Sequence, residues 1–177
     1  AYGWHEGEQQ LPDIIAEVSN TDYDLIAKQQ IEEERQRQLY QQEEERKKQE
    51  ELQKQREAEE KDRAIAKINE TVVSSYVFDQ DALSDDQKVQ LDDIYSLLAK
   101  YEDVHVELIG HTCNKGYKSV NDRIGLRRAE TAKAYLMEKG VAEERITTSS
   151  RGEEEPKIAN PTLEERKLNR RVEFVVK

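Results

Sequence analysis

Residues 104–140 read VHVELIGHTCNKGYKSVNDRIGLRRAETAKAYLMEKG. Val104–Ile109 is an apolar, β-branched run that stops at Gly110, the pattern of a buried strand meeting a turn. His111–Ser119 is polar and short. From about Val120 to Lys139, Ile124, Leu126, Ala129, Ala132 and Leu136 recur at helical spacing. Gly140 follows the last of them, where a left-handed residue ends a helix.

The flanks extend this core. Thr71–Phe78 (TVVSSYVF) is β-branched and aromatic and predicts a strand. Ser84 precedes Asp85 and Asp86 and an amphipathic run of Val89, Leu91, Ile94, Leu97 and Leu98, so it predicts an N-cap. Arg145–Ser150 (RITTSS) predicts a third strand. A loop with Pro156 and Pro161 follows, with a short helix near Thr162–Lys167. Arg171–Val176 (RVEFVV) alternates and closes the chain as a strand. The predicted class is α+β, with the order β-α-β-α-β-β and helices on one face of a mixed sheet.

Upstream the composition changes. Gly and Pro are both absent from residues 13–109, which favours long regular structure. Residues 25–67 hold twelve acids and eleven bases. Glu33–Arg37, Glu43–Lys47, Glu44–Lys48, Glu50–Lys54, Glu57–Lys61 and Glu59–Arg63 place acid before base four apart. Each such pair adds roughly 0.2–0.5 kcal/mol to an exposed helix. From Glu32 to Arg63 the apolar residues are Leu39, Tyr40, Leu52 and Ala58 alone, too few for a coiled-coil seam. Residues 25–70 therefore read as a solvated charged helix of about 65 Å. A disordered linker and a weak coiled coil with sister chains are the alternatives. Residues 1–24 read as an acidic lead-in, in which Trp4 and Leu11, Ile14, Ile15 and Val18 can dock on a partner or belong to a longer protein.

The 177 residues carry a net charge of −11, which argues against general binding of nucleic acid or of anionic membranes. No apolar run is long enough to span a bilayer, so a membrane link is expected only through a part absent from this chain. The single cysteine, Cys113, excludes an internal disulfide and a multi-cysteine metal site.

Chemistry concentrates in Gly110-His111-Thr112-Cys113-Asn114-Lys115-Gly116, with Asn121, Arg123 and Arg128 on the helix beyond. Loop amides and hydroxyls can meet a small zwitterion, and Arg128 can hold a carboxylate by two parallel hydrogen bonds. Arg128 reads equally as a surface ion-pair residue. Arg166, Lys167, Arg170 and Arg171 form a second basic group that suits an anion. His111 reads as a structural hydrogen-bonded residue. The pair His111/Cys113 lacks a third catalytic group, so neither an enzyme nor a cofactor nor a metal is expected.

Residues 71–177 resemble the OmpA-like C-terminal domain, the peptidoglycan-binding module of Gram-negative envelope proteins. The resemblance rests on Gly110-His111-Thr112, on Asn121, Arg127-Arg128-Ala129 and Tyr135-Leu136, and on Gly140-Val141 with Arg145-Ile146. Gly152, Pro156, Asn160 and Asn169-Arg170-Arg171-Val172-Glu173 extend it. It implies non-covalent binding of a diaminopimelate-bearing stem peptide of peptidoglycan, through Thr112, Cys113, Asn114, Asn121, Arg128 and Arg170. In that family a loop Asp holds the ligand's ammonium and a helix Arg its carboxylate. Arg128 falls on the Arg position, and Cys113 stands where the Asp is usual. A thiol there forgoes a charge-assisted contact of about 1.5–3 kcal/mol, unless Asn114 or Asp122 takes its place. The resemblance also implies a periplasmic place in an outer-membrane protein, with the charged helix as spacer to the wall. The competing reading is an assembly protein whose helix makes homo- or hetero-oligomers, with only weak wall contact. Replacing Arg128 is expected to remove binding and leave the fold intact.

Overall fold

A computed structural model describes residues 11–159 and 162–177, with side chains from Asp22 onward. Trp4 and Asn160 lie outside the described residues, as do the side chains of Leu11, Ile14, Ile15 and Val18. The chain divides into two compact units, one running to Arg56 and the other Glu57–Lys177.

Helix α1 is Leu11–Glu70, so helix begins within the stretch read as lead-in. From Asp22 to Arg56 its side chains are exposed, including Tyr23, Leu25, Ile26, Ile31, Leu39, Tyr40 and Leu52. Glu43 and Lys47 pair at 3.0 Å, as their spacing predicts. The carboxyl of Glu43 is lowered by that hydrogen bond, and the Lys47 ammonium is raised by the same contact.

In the second unit the last turns of α1 enter a core. Ala64 and Ile68 are buried there, and Ile65 packs against the same cluster. Glu59 pairs with Arg63 at 3.7 Å. Lys61 turns instead to Asp103, and Lys100 reaches Glu60 at 2.9 Å.

The remaining elements are β1 Val72–Val73, α2 Asp85–Lys100, β2 Val106–His111, α3 Lys118–Lys139, β3 Ile146–Gly152, α4 Leu163–Asn169 and β4 Val172–Val176. A 3-10 turn, Glu143–Arg145, leads into β3. The sheet order is β1-β4-β2-β3. β2 and β3 are parallel, joined through α3, while β4 runs antiparallel to both β2 and β1. The mixed α+β sheet is the one the pattern predicts.

Ser84 caps α2 through the Gln87 amide, and the Gln87 side chain answers the Ser84 amide, a complete capping box. Gly140 ends α3 in the left-handed region, at φ 116°. The core holds Leu91, Ile94, Leu98, Val106, Leu108, Ala129, Ala132, Leu136, Ile146, Val172 and Phe174. The Arg145 guanidinium closes one end of this core by donating to the carbonyls of Leu98, Tyr101 and Val104.

Two expectations change. The strand over Thr71–Phe78 is only two residues long, because Ser75 turns left-handed at φ 68° and breaks the extended run. The buried face of α3 is also rotated. Gly125 and Arg128 are buried, and Ile124 and Leu126 are only half-buried. Close backbone contact between Gly125 and Gly110 sets that rotation.

Candidate functional site

β2 ends in a bulge. Gly110 pairs with Ser150 and His111 with Gly152, so Arg151 is an extra residue in the parallel ladder. Bulges re-aim the side chains that follow them. His111 and Thr112 keep their amides paired, to Arg171 O and Gly152 O at 2.8 Å each. Both side chains are turned inward, 1% and 4% exposed. The Thr112 hydroxyl and both His111 ring nitrogens have no hydrogen-bond partner. Glu173 Oε2 lies 3.5 Å from Nε2. Burial, with Arg171 adding to it, lowers His111 to about 4, so the ring is neutral at pH 7.

Arg128 is among the most buried side chains of the protein, at 1% exposure. The reading of it as a surface ion-pair residue is therefore overturned. Its Nε donates to Gln80 O at 2.9 Å, Nη1 to His111 O at 3.1 Å and Nη2 to Val77 O at 3.1 Å. Its guanidinium lies 5.2 Å from the centre of the Tyr76 ring. Burial pulls this Arg down to about 10, so it stays charged at neutral pH. Three carbonyls from two backbone segments meet on one guanidinium, so replacing it cannot leave the fold untouched. Burial likewise raises the Tyr76 phenol.

Arg170 comes in from the other side, just before β4. It is 4% exposed, and its Nε donates to Tyr76 O at 2.6 Å. Its Nη1 lies 3.9 Å from the Cys113 sulfur. Cys113 is buried and reduced, and Arg128 is within electrostatic reach of both Cys113 and Arg170. Arg128, Arg170, Thr112 and Cys113 thus gather at the end of β2.

The other expected residues stand apart. Asn114 is exposed on the loop. Asn121 is buried but donates to Glu153, and Asp122 is held by Lys118 at 2.8 Å. The second basic group also divides. Arg171 pairs with Glu173 at 2.6 Å and holds Glu155 O at 3.1 Å, while Lys167 pairs with Glu164 on the surface.

The Tyr76–Gln80 segment escaped the sequence reading. Its contribution is three backbone carbonyls, which leave no mark on residue identity. A separate groove of about 410 Å³ between α1 and α2 is lined by Glu60, Arg63, Ala64, Lys67, Leu97, Lys100 and Tyr101. None of the candidate residues lines it.

The sequence model of the OmpA family matches residues 75–170, from the turn after β1 to the second buried arginine. The chain belongs to the OmpA family. Outer membrane porin F of Pseudomonas fluorescens is 34% identical over 99 residues, 56% of this chain and 30% of the porin. Peptidoglycan-binding protein ArfA of Mycobacterium tuberculosis is 39% identical over 74 residues, 42% of this chain and 23% of ArfA. This chain therefore spans less than a third of either of those relatives. The peptidoglycan-associated lipoprotein of Burkholderia pseudomallei shares the OmpA-family fold with a TM-score of 0.57. Its identity is 24%, covering 60% of this chain and 89% of the lipoprotein. Among the described residues, no helix is long and apolar enough to cross a membrane.

Proposed function

We propose that the Glu57–Lys177 unit binds peptidoglycan without covalent chemistry and anchors an outer-membrane protein to the cell wall from the periplasm. The stem peptide carrying diaminopimelate is the part it holds. Arg128 and Arg170 receive the peptide's carboxylate beside Cys113 and Thr112, and α1 is the spacer that lets the domain reach the wall.

One observation carries this reading. Two guanidinium groups meet at the loop after β2, Arg170 standing 3.9 Å from Cys113 and Arg128 within its electrostatic reach. Guanidinium is the side chain suited to planar carboxylate recognition. The end of a central strand, where a crossover begins, is where open α/β sheets tend to place ligands. Relatives named for peptidoglycan binding and association support the choice of ligand.

The test is co-sedimentation of the full chain with purified murein sacculi. The protein is expected in the pellet and is released by millimolar free diaminopimelate. A chain that stays in the supernatant at every sacculus concentration ends the proposal.

A further inference from the structure

Arg128 and Arg170 are two cations in the interior, and every acceptor they meet is neutral. Arg128 has the carbonyls of Val77, Gln80 and His111, and Arg170 has the carbonyl of Tyr76 and the sulfur of Cys113. Among the described residues neither makes an ion pair with a carboxylate. Asp81, whose field reaches Arg128, is paired with Arg127 at 2.8 Å. Buried charge without a counter-ion is costly, so the site favours whatever brings negative charge.

Three of those four carbonyls come from one five-residue strap, Tyr76–Gln80. Its first residue, Tyr76, is 1% exposed and packed in the core, and the strap beyond it is lightly fixed. Val77 and Phe78 are 58% and 56% exposed. Ser75 before it and Asp79 within it are left-handed, at φ 68° and 56°, a conformation that side chains disfavour. Among the described residues, the buried hydroxyls of Thr112 and Tyr76 have no partner. A carboxylate accepts roughly twice as strongly as a carbonyl, and those hydroxyls give it further donors.

Resting on the wall-binding reading, we infer that Val77–Gln80, hinged at the core-bound Tyr76, is a lid whose carbonyls stand in for an anionic ligand. Lifting it uncovers a two-arginine site for one carboxylate that asks for no ammonium on the ligand. Of the nearby acids, Asp79 is exposed on the lid and leaves with it, and three others are engaged. Asp81 is held by Arg127, Asp122 by Lys118, and Glu153 receives Asn121. The ligand class is therefore a carboxylate-bearing wall peptide whose amino group is left out of recognition.

The experiment uses the full chain and three sets of muramidase-released muropeptides: untreated, N-acetylated, and carboxylate-amidated. Acetylation is expected to change affinity less than twofold, and amidation to weaken it more than tenfold. A tenfold loss on acetylation overturns the inference and leaves wall binding standing. No binding to any of the three removes wall binding and this inference with it. Hydrogen–deuterium exchange then reads the lid. The Gln80 amide is bonded to Val77 O in the closed form, and the Tyr76 amide at the hinge to Arg170 O. Saturating untreated muropeptide is expected to speed exchange at Gln80 at least tenfold while Tyr76 and β2 are unchanged or slowed. Unchanged exchange at Gln80 overturns the lid.

Discussion

Gly110, at the end of β2, and Gly125, inside α3, touch through their backbones. A Cβ on Gly110 would stand 1.8 Å from the Gly125 carbonyl oxygen, and one on Gly125 would stand 2.3 Å from Ser150 Oγ. The obstacle at Gly110 is backbone, which cannot swing away. Gly110→Ala must push α3 off the sheet, and with it Arg128. It is expected to cost at least about 3 kcal/mol, at the upper end of overpacking effects. Gly125→Ala meets the Ser150 side chain first and should cost less. Urea unfolding of the two variants checks the order; a Gly110→Ala midpoint equal to wild type would refute the contact.

Arg128→Ala tests the guanidinium as a structural tie. It leaves the carbonyls of Val77, Gln80 and His111 without that donor, the last in a buried setting and the other two part-buried. Each such group costs about 1–3 kcal/mol, offset in part by removal of a buried charge. A net loss on the order of 3 kcal/mol is expected. Arg128→Lys keeps the charge but not the three-way fork, and should fall between. Thermal denaturation gives the ranking. Equal melting temperatures for all three proteins would show that the carbonyls find other partners.

His111 gives the stability a pH dependence of definite sign. Folded, it titrates near 4 because of burial and Arg171, against 6.5 for the ordinary side chain. Between those values the unfolded chain binds the extra proton, so stability is full above about pH 6.5 and falls towards pH 4. The limit is on the order of 3 kcal/mol. Glu173 and Glu155 oppose the shift, and Arg171 and Arg151 reinforce it. His111→Gln should flatten the slope of unfolding free energy between pH 6.5 and 4.5. A slope identical to wild type would assign the acid sensitivity to carboxylates instead.

What could be read from the residues alone followed from where the signal lies. Val104–Ile109, Ser84 and Gly140 announce a strand, a cap and a stop by their own chemistry, and each stands within two residues of its expected place. The strand after Thr71 misled because TVVSSYVF has β-forming side chains throughout, while the turn at Ser75 is imposed by Arg170 and Arg128 binding the carbonyls beyond it. The buried face of α3 misled because periodicity counts Ile124 and Leu126 and is blind to Gly125, whose missing side chain sets the contact. Arg128 and Arg170 could be picked out as candidates by residue type and by the family resemblance. Their enclosure could not, since their acceptors are backbone atoms 48, 51 and 94 residues away.

The exposed apolar residues of α1 bear on the assembly alternative. Tyr23, Leu25, Ile26, Ile31, Leu39, Tyr40 and Leu52 follow no 3-4 alternation, so two copies cannot bury them along one seam. The full chain is expected to sediment as a monomer up to high micromolar concentration. A concentration-dependent dimer, abolished by replacing Leu25 and Ile26 with Gln, would restore the helix as an assembly element.

Cys113→Asp examines the same site from the opposite direction. The sulfur is 3.9 Å from Arg170 Nη1 and within reach of Arg128, so a carboxylate there gains two guanidinium partners in a buried setting. Charge-assisted hydrogen bonds to such groups contribute about 1.5–3 kcal/mol, which offsets much of the cost of burying the new charge. The variant is expected to fold with a melting temperature no lower than wild type. Its binding should change in kind. The added anion competes with a ligand carboxylate for the arginines and supplies the missing partner for an ammonium. Muropeptides with free amino groups should bind more tightly than to wild type, and N-acetylated ones more weakly, opening a gap of tenfold or more where wild type shows almost none. Calorimetric titration of both proteins with both muropeptides measures it. Equal affinities of the variant for the two would mean that position 113 does not face the ligand.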